Sequence, residues 1–374
     1  AAALSACLSR CPELRAARDE AGRSLLHLAA AAGAAGAVRA LLGHGALLGG
    51  SAGPAACCGL AAFSGGHQEV FDLLVGHACQ ATLAERGGGP GRAGARRGGE
   101  EEAPAAKRRR PSPQGPYLGQ ALRYESGRLL DASGRGIMMG WEAPLMRRHA
   151  CALLPSPGGA ALNVGFGLGL VDGFLQERQP GSHAIIEPHP DVLQELERQG
   201  WPMRPGVAVH AGRWQDVVGE LRAGSFDAVF YDTWQETYDD LLAFMREVPR
   251  LLRPGGRFSF FNGAAPHSIF EHAVFCRLAQ QDLHALGLRC DFCPVELGPL
   301  GDDVWRGVRH RYWAFETYYL PLAASAAADA LARPEPEGPE GSDASVWRRW
   351  PSGAVRVHDR VGAGVPLSEF GLEP

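Results

Sequence analysis

Residues 165–169 read Gly-Phe-Gly-Leu-Gly, after the apolar run Ala161-Leu-Asn-Val and before the helical pattern Leu170-Val-Asp-Gly-Phe-Leu-Gln-Glu-Arg. Glycines let a chain turn sharply and approach a ligand with no Cβ in the way. Glu187 lies 22 residues after Gly165 and ends a second apolar run, His183-Ala-Ile-Ile. A carboxylate there can accept hydrogen bonds from both hydroxyls of a ribose. A third acid, Asp232, ends the run Phe226-Asp-Ala-Val-Phe-Tyr. Together these residues suggest a cradle for a nucleoside-bearing ligand. One CxxC, Cys290 to Cys293, sits in the apparent strand Arg-Cys-Asp-Phe-Cys-Pro-Val-Glu-Leu. Zinc needs about four ligands and a redox CxxC normally opens a helix, so this pair reads as buried packing and no metal site is expected.

The elements that must position these residues alternate. Strands are expected over 161–165, 183–187, 207–210, 226–232 and 257–262, with helices between them. That order predicts an α/β fold with a doubly wound parallel sheet, whose ligands bind at the carboxyl ends of the strands. The glycine loop alone is shared by dinucleotide enzymes and methyltransferases. Its GxGxG spacing, the acid ending strand four and an expected turn Leu251-Leu-Arg-Pro-Gly-Gly256 favour the second class.

The chain holds 50 Gly and 27 Pro, a glycine share about twice the average of ~7%, so loops and linkers are extensive. Hydrophobic residues still make up 45%, enough for a packed core. A net charge of −4 gives no overall basic field, so direct nucleic-acid binding is not expected. No run of about 20 strongly apolar residues occurs, and no membrane association is expected. Nine cysteines without a tight framework read as reduced, intracellular thiols. The chain starts with Ala, so an upstream targeting peptide is neither shown nor excluded.

Residues 22–45 and 53–77 repeat a Leu/Ala-rich pattern, with Gly33 and Gly66 33 residues apart. A period near 33 with Leu-His-Leu-Ala-Ala at its core resembles ankyrin repeats, which predicts a small all-α stack over 1–85. Such stacks usually bind proteins; a stack this short can also simply dock on its neighbour. Residues 86–116 read as a flexible Gly-rich and basic linker. Within it Lys107-Arg-Arg-Arg110 reads either as a nuclear import signal or as a solvated basic cluster. Residues 322–374 are expected to be a disordered tail, with a short docking segment around Val346 to Trp350.

The motifs of 117–321 narrow the fold further. Met138-Met-Gly-Trp-Glu-Ala-Pro-Leu-Met146, Val164-Gly-Phe-Gly, Ile186-Glu187, Gly212-Arg-Trp-Gln-Asp-Val217 and Phe226-Asp-Ala-Val-Phe-Tyr-Asp-Thr233 occur in order. The series is similar to guanidinoacetate methyltransferase and resembles more closely the fungal- and plant-type protein arginine N5-methyltransferases. The closer resemblance rests on Gly-Leu-Gly-Leu-Val-Asp-Gly-Phe-Leu-Gln-Glu, Glu-Pro-His-Pro-Asp-Val-Leu, Phe-Ser-Phe-Phe-Asn-Gly and the block Arg311-Tyr-Trp to Tyr318-Tyr-Leu-Pro321. It implies a class I (Rossmann-like) methyltransferase domain with S-adenosylmethionine as cofactor. Glu142 and Asp232 match the family's guanidinium-holding carboxylates, with Asp232 the expected proton acceptor. Tyr124, Met138, Met146, Gly165, Phe166, Gly167, Leu168, Gly169, Leu170, Val171, Glu187, Pro188, His189, Trp214, Gln215 and Asp232 match its cofactor contacts. Asn262-Gly263 is expected on the acceptor's path. The late aromatics Tyr312, Trp313, Tyr318 and Tyr319 are expected in the core.

The implied reaction is methyl transfer to the internal (δ, N5) nitrogen of an arginine in a protein, ribosomal proteins being candidates, in cytoplasm and nucleus. Two alternatives stay open: a methyltransferase for small guanidino compounds, and a non-catalytic ankyrin adaptor that keeps a cofactor fold.

Overall fold

The computed structural model describes residues 2–48, 57–86, 115–325 and Val355. The basic cluster at 107–110 and the segment 346–350 lie outside them. The N-terminal part is helical: α1 (Ala2–Arg10), then the pair α2 (Leu25–Ala31) and α3 (Ala35–Gly43), then the pair α4 (Cys58–Ser64) and α5 (Gln68–Glu85). Ser24 starts α2 by accepting from the His27 N–H at 3.3 Å, which satisfies a donor the helix itself cannot. Ala30 and Ala62 are wholly buried, and such small side chains allow close helix approach. Across the pairs, the His67 ring reaches Ala31 O at 3.0 Å. Gly33 and Gly66, with φ of +65° and +72°, turn the chain between the helices of each pair.

A short helix α6 (Gly115–Leu118) leads into a small antiparallel sheet of β1 (Arg123–Glu125), β2 (Arg128–Leu130) and β3 (Gly136–Met139). After it come α7 (Ala143–Leu153), β4 (Ala160–Val164), α8 (Leu170–Glu177), β5 (Ser182–Glu187), α9 (Pro190–Arg198), β6 (Val207–Ala211), α10 (Trp214–Val217) and β7 (Phe226–Tyr231). The chain continues through α11 (Tyr238–Met245), α12 (Val248–Leu251), β8 (Leu252–Phe260), α13 (Ile269–Ala285), β9 (Leu288–Glu296), α14 (Asp302–Trp305) and β10 (Thr317–Ser325).

Seven of these strands form one sheet in the order β6-β5-β4-β7-β8-β10-β9. The first five are parallel, and β10 runs antiparallel to both β8 and β9. This is a Rossmann-like arrangement of mostly parallel strands. Every residue of β4 is buried, as helices on both faces require. The order reverses between β4 and β7, so the crevice for a ligand opens above their ends.

Three sequence expectations shift. Leu251–Gly256 is not a turn: Leu251 ends α12 and Leu252 begins β8. Phe226 pairs with Leu252 but Ala228 with Arg257, so the Pro-Gly-Gly stretch is a bulge, with Gly255 at φ +80°. The last strand runs to Ser325, past the expected start of the tail, because Ala323 and Ala324 pair with Phe258 and Arg257. Arg86 is no linker residue; it caps α5 and reaches Asp282 at 3.6 Å.

Candidate active site

The glycine loop is shaped by what presses on it. A Cβ added at Gly165 would stand 1.8 Å from Asp232 O, and its φ is +94°. The end of β4 and the residue after β7 therefore touch backbone to backbone. At Gly167 a Cβ would meet Met138 Sδ at 2.9 Å, and at Gly169 the Phe166 ring at 2.5 Å. Beneath the loop Asn163 Nδ2 donates to Gly165 O and to Asp172 Oδ2, both at 2.8 Å. The other Asp172 oxygen lies 3.1 Å from His183 Nε2.

Glu187 ties this loop to the next strand. Its carboxylate accepts from Phe166 N at 2.8 Å and from His189 N at 2.7 Å. Burial pushes its pKa up to about 7 against those N–H bonds, which favour the charged form. Each carboxylate oxygen keeps acceptor capacity beyond these bonds, as a diol would need.

Two further acids face the same cavity from far-separated chain positions. Glu142 closes the helical turn before α7, with Oε1 accepting from Met139 N at 2.8 Å and from the Tyr312 hydroxyl at 2.5 Å. Burial first, and then the charge of Asp232, raise it to about 8. Asp232 sits just past β7, anchored by its N–H to Val164 O at 2.9 Å. Its Oδ2 is enclosed and has no hydrogen-bond partner. Burial, with Asp172 behind it, raises Asp232 to about 7.

The cavity measures about 450 Å³. Glu142, Glu187, Asp232 and Glu236 line it, and no Lys, Arg or His does among the described residues. Such a site attracts cations, and an unpartnered buried carboxylate oxygen aims that preference at one place.

The residues singled out in the sequence divide. Met138, Glu142, Gly165, Gly167, Glu187, Pro188 and Asp232 line the cavity, as do Asn262 and Gly263. Phe166, Val171 and Met146 are fully buried in the core beside it. Leu168 N donates to Met138 Sδ at 3.3 Å, and Gly169 and Leu170 start α8; none of the three is on the lining. Tyr124 reaches the loop through its hydroxyl, 3.3 Å from Gly167 O. The His189 ring is committed to Tyr117 O at 3.2 Å and Asp191 N at 3.1 Å, so Tyr117 takes the place on the wall. Trp214 and Gln215 do not line the cavity either. They donate to Glu236 at 3.0 and 2.8 Å, and Tyr231 and Thr233 donate to the same carboxylate.

Sequence reasoning missed Tyr117, Glu236 and Tyr312. Of the late aromatics, Trp313, Tyr318 and Tyr319 are core as expected, whereas Tyr312 faces the cavity. Its partner Glu142 is 170 residues away, and no local pattern carries that pairing. Cys290 and Cys293 are both buried on β9, and their pairing with Ala323 and Leu320 in unbroken register puts them on opposite faces.

Residues 119–272 match the family model of guanidinoacetate N-methyltransferase. The curated relatives are named protein arginine N-methyltransferase 2. The protein from Aspergillus oryzae is 44% identical over 209 residues, covering 55% of this chain and 50% of that one. The protein from Cryptococcus neoformans var. neoformans serotype D is 40% identical over 239 residues, covering 55% of this chain and 66% of that one. The chain thus spans about half the length of the first of these relatives and two thirds or less of the second. Among solved structures, M. jannaschii TYW2 in complex with AdoMet aligns at 14% identity with a TM-score of 0.34, covering 55% of this chain and 84% of that one.

Proposed function

We propose that the protein transfers a methyl group from S-adenosylmethionine to the internal (δ) guanidino nitrogen of an arginine in a protein. One observation carries this reading: two carboxylates, the buried Glu142 and the half-buried Asp232 with its enclosed Oδ2, share a cavity on which no cationic side chain stands among the described residues, beside a glycine cradle. The cradle fits the cofactor, because Gly165 and Gly167 are open only for want of a Cβ and the Glu187 carboxylate beside them would accept from the ribose hydroxyls. Gly165, Gly167, Met138, Glu187 and Pro188 would hold it. When bound, it supplies an electrophilic methyl group on a sulfonium.

The chain's own residues meet the difficulty of the acceptor. A guanidinium is protonated and its lone pairs are delocalised, so it is a poor nucleophile. Two carboxylates grip its planar fork and fix which nitrogen faces the cradle. Asp232, with an oxygen free of other partners, takes the proton that leaves on methylation. The Tyr312 hydroxyl holds Glu142 on one oxygen and leaves the other for the acceptor.

The small-molecule reading keeps one support, the match of 119–272 to guanidinoacetate N-methyltransferase. The names of the relatives favour protein arginine. We also read the two N-terminal helix pairs as ankyrin-like repeats, on the equal offset between them. The deciding experiment incubates the full chain with labelled S-adenosylmethionine, a protein extract enriched in ribosomal proteins and guanidinoacetate, and locates the label by fragment mass spectrometry. Label on the δ nitrogen of protein arginine is expected. Label on guanidinoacetate alone sinks the reading, and label on a terminal guanidino nitrogen sinks the δ assignment.

A further inference from the structure

A cofactor cradle and a guanidinium clamp account for only part of the cavity. Past Asn262 and Gly263 it runs on between α11 and α13, where its walls are Tyr238, Leu241, Phe260, Phe275 and Ala279. The Tyr238 and Phe275 rings stand 5.5 Å apart, centroid to centroid. Of these five side chains only Tyr238 carries a polar atom, and its hydroxyl is committed to Asp282 at 2.8 Å. Asp282 is also met by Arg86 at 3.6 Å, whose guanidinium lies 4.9 Å from the Tyr238 ring centroid. Hydrocarbon therefore faces this arm, and the wall is braced from the C-terminal cap of α5.

The chemistry of the arm excludes the groups already placed. The charged amino-acid end of the cofactor and the acceptor guanidinium both need polar or ionic partners, which the five side chains of the arm do not offer; the carboxylates Glu142, Glu187, Asp232 and Glu236 line the rest of the cavity. An uncharged, apolar occupant remains; with the adenine placed beside the ribose at Glu187, it is a group carried by the acceptor that would reach the arm through the continuous cavity. The lining is strained at two places: Gln235 and Ala265 hold φ of +59° and +48° without being glycine. Backbone strain of this kind concentrates at ligand clamps.

We propose that the arm between α11 and α13 is a subsite for an apolar or aromatic side chain within two residues of the acceptor arginine. The inference rests on the protein-arginine reading above and supplies the sequence context of its substrate.

The test uses the full chain, S-adenosylmethionine and arginine peptides with glycine at the two positions on either side. Leu, Phe or Asp replaces one glycine at a time. At one position Leu or Phe should raise kcat/KM by about tenfold or more, mainly through KM, as burial of such a side chain implies. Leu241→Ala should move the preference at that position from Leu toward Phe. Cofactor Kd, measured directly, certifies that the variant is folded; should Leu241→Ala lose the cofactor, Phe275→Leu is read instead, with the same shift toward the larger ring. Equal rates for every flank, a preference for Asp, or an unchanged order in a cofactor-binding variant would overturn the subsite while leaving arginine methylation standing. No transfer to any peptide would overturn both.

Discussion

At the scale of single residues, chemistry rests on acids that hold protons longer than acids in water do. Glu142 at about 8 and Asp232 at about 7 must ionise to grip a cation, so acceptor binding by the free protein should strengthen as pH rises toward about 8. Stability runs the other way. Both acids bind protons more tightly folded than unfolded, so their contribution is intact below the ordinary values of 4.5 for Glu142 and 3.8 for Asp232 and is withdrawn as pH rises through about 7 for Asp232 and about 8 for Glu142. The thermal midpoint of the ligand-free protein should fall across that window, and Glu142→Gln should flatten the fall; an equal slope would clear Glu142 of the effect. Asp232→Asn should keep cofactor affinity and lower turnover by at least ~10²-fold, the usual scale for a positioned proton acceptor. Near-normal turnover would remove Asp232 from the mechanism. Tyr312→Phe removes a donor that favours ionised Glu142, so the rising limb of the pH–rate profile should move about one to two units higher.

At the scale of elements, the site depends on strand ends meeting at close range. Gly165→Ala would force a Cβ to 1.8 Å from Asp232 O at a φ of +94°, so β4 and β7 would have to part at the cofactor cradle. Loss of measurable cofactor binding is expected, with a stability cost of about 1–3 kcal/mol or more. Gly200→Ala, also at positive φ but with open space around it, serves as the control that carries strain without a clash. If both variants bind cofactor equally, the contact does not shape the cradle. Glu236 works at this scale too, holding the loop after β7 to the start of α10 through Thr233, Trp214 and Gln215.

At the scale of the whole molecule, the N-terminal helices are built onto the sheet domain. Phe270 at the start of α13 meets Phe71 with ring centroids 6.0 Å apart, and a Cβ on Gly59 would stand 2.0 Å from the Phe270 ring. Gly59→Val should therefore lower the thermal midpoint by about 2 °C or more, as ~1–3 kcal/mol of overpacking implies. An unchanged midpoint would mean the helices do not pack there in solution. Val355 is buried in the same region, its carbonyl accepting from Gln68 Nε2 at 3.2 Å.

What the sequence determined by itself is local. Alternating apolar runs set the strands, the glycine spacing set the loop, and Glu187 and Asp232 were legible because each ends a strand whose neighbours are apolar. The bulge at Pro254-Gly-Gly256 and the last residues of β10 were not, since pairing with a partner strand decides them rather than composition. Only the tertiary structure decided that Glu142 meets Tyr312, that Trp214 and Gln215 serve Glu236, and that a cavity with four carboxylates has no cation on its wall among the described residues. The reason is physical. Identity and spacing travel along the chain, but burial, which sets both the acidity of a carboxylate and its need for a partner, exists only once distant segments close around it.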